Sequence, residues 1–293
     1  EYAEPADRIL VTTTPMLQYL ALTQFVLDEE AYTPESYAAF KAIDEKMTAA
    51  KTAEEQTALL PEAKAAVQGL KLVGNMFADA QSGWYKPAVD FAQASGLMAG
   101  VGGDKFAPAV TTTRAMVAEV LYEAAGAPSV EGLTCPLTDV KAGEWYTDAV
   151  VWAYNAGVIA GRGDGTFCPD DTITRQEMAV MFYGWLGGGE SLIGGEQIKT
   201  ALAEFDDGAD VAAWAQEAVA YCYLANIMVG NDGRFDPDGS LDRAQLAQVF
   251  CSFYEVALNL VLHAISDAPE QPTAPTAPTM PTMPTMPELP TAA

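Results

Sequence analysis

Three stretches of this chain align with one another, at 77–126, 137–187 and 205–257. The second reads "LTDVKAGEWYTDAVVWAYNAGVIAGRGDGTFCPDDTITRQEMAVMFYGWLG". Trp84, Trp145 and Trp214 share one position, and so do Gly100, Gly161 and Gly230. Phe106, Phe167 and Phe235 coincide, as do Pro108, Pro169 and Pro237, and finally Arg114, Arg175 and Arg243. The Trp-to-Arg separations are 30, 30 and 29 residues. Five coincident positions at such spacing mark an internal repeat, which restricts the chain to architectures built by stacking one unit on itself.

Each unit reads as helix, glycine turn, helix. In the second, Trp145, Ala149, Val150, Trp152 and Ala153 recur at helical spacing and form one apolar face. Gly157 stops that helix in the left-handed conformation, and Asn226 takes its place in the third unit. A second helix starts at Thr174 and runs to about Leu186, with Met178, Phe182, Tyr183 and Leu186 on its face. One such pair cannot enclose its own apolar faces, whereas three can pack around a shared axis. The units are assigned to 76–128, 129–190 and 203–262.

The remainder differs. Residues 1–75 alternate alanine with charge and carry helix-start signals at Thr33-Pro34-Glu35 and Thr52-Ala53-Glu54-Glu55. With 16–27 they predict a small three-helix bundle. Residues 267–293 are low complexity, and a proline at every third position predicts a disordered, polyproline-like stalk without a core. The expected fold class is therefore mainly α: a helical bundle, three helix–loop–helix repeats and a Pro/Thr tail.

Charge narrows the partners. The chain has 15 Lys plus Arg against 40 Asp plus Glu, a net charge of −25. That excludes nucleic acid, whose phosphates need a basic surface, and electrostatic adsorption to anionic lipid. No uninterrupted run of 18 apolar residues occurs, so no membrane insertion is expected. The first residue is Glu1 rather than Met, consistent with a removed signal peptide and a secreted protein.

Candidate chemistry is sparse. No nucleophile–base pair, zinc-protease helix, phosphate loop or glycosidase-like carboxylate pair is recognisable, so the chain is not expected to be an enzyme, and no cofactor is implied. The cysteines, Cys135, Cys168, Cys222 and Cys251, lack metal-ligand spacing, and an even count fits two disulfides, assigned locally as 135–168 and 222–251. The loop holding Asp164, Asp170 and Asp171 lacks the D-x-D-x-D-G pattern of a calcium loop, so no metal is expected. Arg162-Gly163-Asp164 occurs once and reads as a turn, not an adhesion signal. Thr174 and Glu177 form a capping box.

Arg175 carries more information. The cap places it at the first helical position, where a cation opposes the helix dipole by about 0.3–1 kcal/mol. Arg114 and Arg243 stand in the same place. Either a neighbouring unit's carboxylate (Asp79, Asp139 or Asp207) offsets that cost, or an anionic ligand does. Burial is the default reading for the tryptophans; stacking on a sugar in an open groove is the other.

Repeat 2 closely resembles the S-layer homology domain of bacterial surface proteins, and repeats 1 and 3 resemble it well. The N-terminal segment faintly resembles helical "found in various architectures" surface modules. The resemblance implies a pseudo-threefold prism and non-covalent anchoring to anionic secondary cell-wall polysaccharide, often pyruvylated, in grooves between units. It places the chain at the bacterial cell surface. The implied glycan-binding set is Arg114, Arg175, Arg243, Trp84, Trp145 and Trp214, with Asp79, Asp139, Asp207 and Asp164 beside them. The motif around the arginine departs from the family in repeats 1 and 3, where Met116 and Gln245 replace the glutamate. The three grooves are therefore expected to be unequal. That erosion also leaves a second reading, a surface adhesin that binds other surface proteins on the same scaffold.

Overall fold

The computed structural model describes residues 14–187 and 191–267. The expected Pro/Thr tail lies, past Asp267, outside them. Ten α-helices and no extended strands occur among the described residues. The N-terminal bundle comprises α1 (Pro15–Thr23), α2 (Pro34–Ala49) and α3 (Ala53–Gln68). Proline opens α1 and α2, where its missing N–H costs nothing, and the Thr52/Glu55 capping box starts α3.

The repeats contribute paired helices. These are α4 (Lys86–Ala94) and α5 (Arg114–Ala124) in the first, and α6 (Thr147–Asn155) and α7 (Arg175–Trp185) in the second. An extra helix, α8 (Gly195–Ala203), follows, and the third repeat supplies α9 (Gln216–Leu224) and α10 (Arg243–Asp267). The sequence reading assigned no element to α8, which packs on α9. Gly157 at φ +73° and Asn226 at φ +57° end α6 and α9 in the left-handed conformation.

The prism closes by exchange. The second helix of each unit packs on the first helix of the next: α5 on α6, α7 on α9, and α10 back on α4. At the centre, three backbone segments form a ring of hydrogen bonds. Thr112 N donates to Leu241 O (2.8 Å), Leu241 N to Ile173 O (3.3 Å), and Ile173 N to Thr112 O (3.1 Å). All three residues are fully buried, and the Thr112 hydroxyl is satisfied by Leu241 O at 2.8 Å. A buried backbone needs such partners, and here only the other two units can supply them. Phe106, Phe167 and Phe235 fill the core around this ring.

The helix α10 joins the two parts of the fold. Its first half carries Leu246, Ala247, Val249 and Phe250 into the prism core, and Val261 and Leu262 pack with Leu22, Phe40 and Val67 of the bundle. Between them, the Tyr254 ring lies 4.8 Å from Phe91 and 5.7 Å from Phe25, and its hydroxyl donates to Phe25 O. By length and composition, 243–265 is apolar enough to cross a membrane. Gln245, Gln248, Ser252, Glu255 and Asn259 interrupt it, so it is not an unbroken apolar run. Its apolarity has a local cause, because one helix serves two cores.

Candidate functional site

The site is built where one repeat's arginine enters the next repeat's loop. In each loop the residue after the phenylalanine is left-handed although it is not glycine: Ala107, Cys168 and Asp236 have φ of 58°, 57° and 57°. Such a conformation costs about 1–2 kcal/mol. A carboxylate holds it in place. Asp79 accepts from Phe106 N (2.8 Å) and Ala107 N (2.9 Å), Asp139 from Phe167 N (2.8 Å) and Cys168 N (2.7 Å), and Asp207 from Phe235 N and Asp236 N (both 2.8 Å). Burial works against ionisation of Asp79 and Asp207, but the paired N–H donors outweigh it and hold both pKa values below the ordinary range.

The phenylalanine carbonyls then accept the arginines of the preceding unit. Arg114 Nε donates to Phe167 O (2.8 Å), Arg175 Nε to Phe235 O (2.6 Å), and Arg243 Nε to Phe106 O (2.8 Å). Each guanidinium also lies over the same ring, at 4.9, 5.0 and 4.6 Å from its centroid. A carbonyl and an aromatic face thus offset the unfavourable helix dipole. Of the two alternatives for offsetting that cost, direct pairing with Asp79, Asp139 or Asp207 is not formed, because those carboxylates face their own loops. Burial lowers the pKa of all three arginines. Glu177 opposes that at Arg114, Asp236 and Asp207 at Arg175, and Asp79 at Arg243.

Beyond this shared frame the three interfaces diverge. Glu177 Oε1 lies 3.2 Å from Arg114 Nη1 and 2.9 Å from Arg162 Nη1, and Arg162 Nη2 reaches Asp171 at 3.1 Å. Glu177 also closes the capping box, with Oε2 accepting from Thr174 N (3.0 Å) and its own N–H donating to Thr174 Oγ1 (3.3 Å). At the equivalent of Glu177, Met116 offers nothing to Arg243, whose Nη2 instead donates to Ala99 O at 2.7 Å. Arg175 has no carboxylate within salt-bridge distance among the described residues. From the sequence, Glu177 reads as a helix cap alone and Arg162 as part of a turn tripeptide. The signal for Arg162 was its uniqueness, since Val101 and Asn231 stand in its place elsewhere.

Trp84, Trp145 and Trp214 are 61%, 57% and 59% exposed, which overturns the default expectation of burial. Trp145 stands before α6 begins at Thr147, so it never joins the apolar face proposed for that helix. Trp84 and Trp145 are braced edge-on by Tyr85 and Tyr146. Trp214 lines a cleft of about 760 Å³ between α7 and α9, together with Arg114, Arg162, Glu177, Tyr183 and Glu217. Glu217 accepts from Tyr183 OH (2.6 Å), Ser191 Oγ (2.5 Å) and Leu192 N (3.2 Å). Burial would raise its pKa, but these donors prevail and lower it, so it remains ionised.

Asp164 is consumed in its own turn, accepting from Thr166 N (3.0 Å) and Thr166 Oγ1 (2.6 Å). Among the described residues no group of three acidic, cysteine or histidine side chains is placed to hold a metal ion. The expected disulfides are not formed, and all four cysteines are free. Cys168 contacts Thr166 Oγ1 at 3.4 Å, and Cys251 faces Glu255 at 3.8 Å. Burial pushes the thiols of Cys222 and Cys251 up to about 12.

The S-layer homology domain model matches 77–116, 136–179 and 204–247. Exoglucanase XynX of Acetivibrio thermocellus is 28% identical over 188 residues, covering 63% of this chain and 17% of that protein. An S-layer protein of Bacillus licheniformis is 31% identical over 148 residues, 50% of this chain and 15% of its own length. A cellulosome-anchoring protein of Acetivibrio thermocellus is 28% identical over 195 residues, 63% of this chain and 42% of that protein. The chain spans less than half the length of each.

Proposed function

This chain carries three tandem S-layer homology domains, and from that premise we propose that it anchors a secreted protein to the bacterial cell wall by holding wall polysaccharide in the clefts between repeats. The observation that carries the reading is the cleft between α7 and α9. It joins an exposed indole, Trp214, to the charged hydrogen-bonding groups of Arg162, Glu177 and Glu217. A sugar ring presents an apolar face and a rim of hydroxyls, and this pairing of platform and polar rim suits it. The volume is that of a small-ligand site, about 300–1,000 Å³.

What supports attachment is that differently named proteins share this stretch, which covers less than half of each, and that one of them is a cellulosome-anchoring protein. An exoglucanase, an S-layer protein and a cellulosome-anchoring protein are each similar to half or more of this chain. The module itself then acts by binding and does no chemistry. An acidic polymer would meet two of the repeat arginines, Arg175 and Arg243, that have no carboxylate within salt-bridge distance among the described residues, although Arg243 already donates to Ala99 O. Long-range repulsion from a −25 chain opposes such a polymer, so contacts at short range must supply the affinity.

Co-sedimentation with isolated cell walls tests the reading. The whole chain is expected to pellet with the walls, and Trp214→Ala to weaken retention about tenfold or more, as loss of a stacking platform does. Raising salt to about 1 M, where charges are screened beyond ~3 Å, is expected to leave retention intact or improve it. Retention by Trp214→Ala equal to the unaltered chain would contradict the cleft assignment.

A further inference from the structure

The seam between the last repeat and the first differs from the other two seams in one respect. Repeats 1 and 2 are consecutive in the chain, and so are repeats 2 and 3, whereas repeats 3 and 1 are the two ends of the array. Their seam is the packing of α10 on α4, with Arg243 donating to Phe106 O and Ala99 O. Contacts between segments so far apart in sequence carry the entropy of closing a long loop.

The N-terminal bundle bridges this seam. On one side it is stitched to repeat 1. Thr33 N donates to Lys71 O at 2.8 Å and Val73 N to Ala31 O at 2.9 Å, so the chain leaving α3 is paired with the bundle as far as Val73. The buried Asn75 is already bound to repeat 1. Its N–H and its Nδ2 donate to Asp90 Oδ1 of α4 at 2.8 and 2.6 Å, and Nδ2 also reaches Ala80 O at 3.0 Å. Met76 N donates to Gln93 Oε1, again of α4, at 2.9 Å. Only Gly74 separates the two sets of bonds, which leaves little slack between bundle and α4. On the other side, Val261 and Leu262 of α10 are buried with Leu22, Phe40 and Val67 of the bundle. Tyr254 of α10 meets Phe91 of α4 and Phe25 of the bundle at one point.

We infer that the N-terminal bundle is a clasp that holds the first and last repeats together, so that the closure of the α4–α10 seam depends on the bundle being folded. It supplies the link that the chain order does not. The dependence is reciprocal, because the bundle core is completed by Val261 and Leu262, which reach it only from a seated α10. The clasp acts whether or not the clefts hold polysaccharide, so wall retention reports separately on the anchoring role.

Hydrogen exchange of the whole chain, read by mass spectrometry in Phe40→Ala, tests this. Phe40 belongs to the bundle cluster and not to the prism core. Exchange in α4 is expected to speed up about tenfold or more together with that of α2 and α3, while α6 changes by less than about twofold. Val67→Ala makes a smaller cavity in the same cluster and is expected to act in the same direction, and it decides alone if Phe40→Ala does not fold. A loosened bundle beside an unchanged α4 would overturn the inference, because the bundle would then be an independent appendage. Equal acceleration of α4 and α6 would also overturn it, because the effect would not be confined to the seam.

Discussion

Arg243→Ala is expected to lower the stability of the prism by about 2–5 kcal/mol. Arg243 closes the ring between the last repeat and the first. Its loss leaves Phe106 O and Ala99 O without their donors. Phe106 is buried, and a buried acceptor left unpaired costs about 1–3 kcal/mol, whereas Ala99 is exposed and its carbonyl regains water. The stacking of the guanidinium on Phe106 at 4.6 Å disappears as well, worth a further ~0.5–2 kcal/mol. Arg175→Ala removes one carbonyl bond and one ring contact, so its cost is expected to be smaller, about 2 kcal/mol. Urea unfolding of the two variants measures both. A loss below about 1 kcal/mol for Arg243→Ala would show that the ring does not depend on this residue.

Asp207→Ala comes second, with an expected loss of about 3 kcal/mol from one buried and one partly buried N–H group left unpaired. Those groups, Phe235 N and Asp236 N, hold Asp236 in its left-handed conformation, so the strain there loses its restraint. Asp164→Ala is the matching control. It removes an exposed carboxylate that serves only its own turn, and its cost is expected to be below about 0.5 kcal/mol. The same chemistry sets an acid limit. Asp79 and Asp207 have folded pKa values below their unfolded ones, so the folded state binds fewer protons in that range. Their stabilisation is present above the unfolded carboxylate value, about 3.9. It is lost as pH falls through the lower folded values. Melting temperature followed downward from pH 5 is expected to drop in the native chain, and to drop less steeply in Asp207→Ala.

The helices and their caps were legible because their signals are local. Gly157 and Asn226 sit where a left-handed residue ends a helix, and Thr174 with Glu177 starts one. The repeat itself announced a threefold arrangement. What the sequence could not show was which unit receives each arginine. Arg114 reaches Phe167, 53 residues away, and Arg243 reaches Phe106, 137 residues away, and no local pattern encodes that closure. The tryptophans were misjudged for a related reason. Their apolar character fits a helical face, but each stands ahead of its helix, where the chain turns outward. Helix α8 escaped because it belongs to no repeat. Glu177 illustrates a limit of motif reading. Its capping role was complete in itself, yet the same carboxylate also joins two repeats and shapes the charge of the cleft.

Wall polysaccharide is proposed to lie in the cleft between α7 and α9. A crystal structure of the whole chain with an oligosaccharide released from the wall polymer tests it most directly. The expected result is a sugar ring stacked on Trp214, with its hydroxyls within hydrogen-bond distance of Arg162, Glu177 or Glu217. An oligosaccharide seated elsewhere on the chain, with this cleft empty, would contradict it.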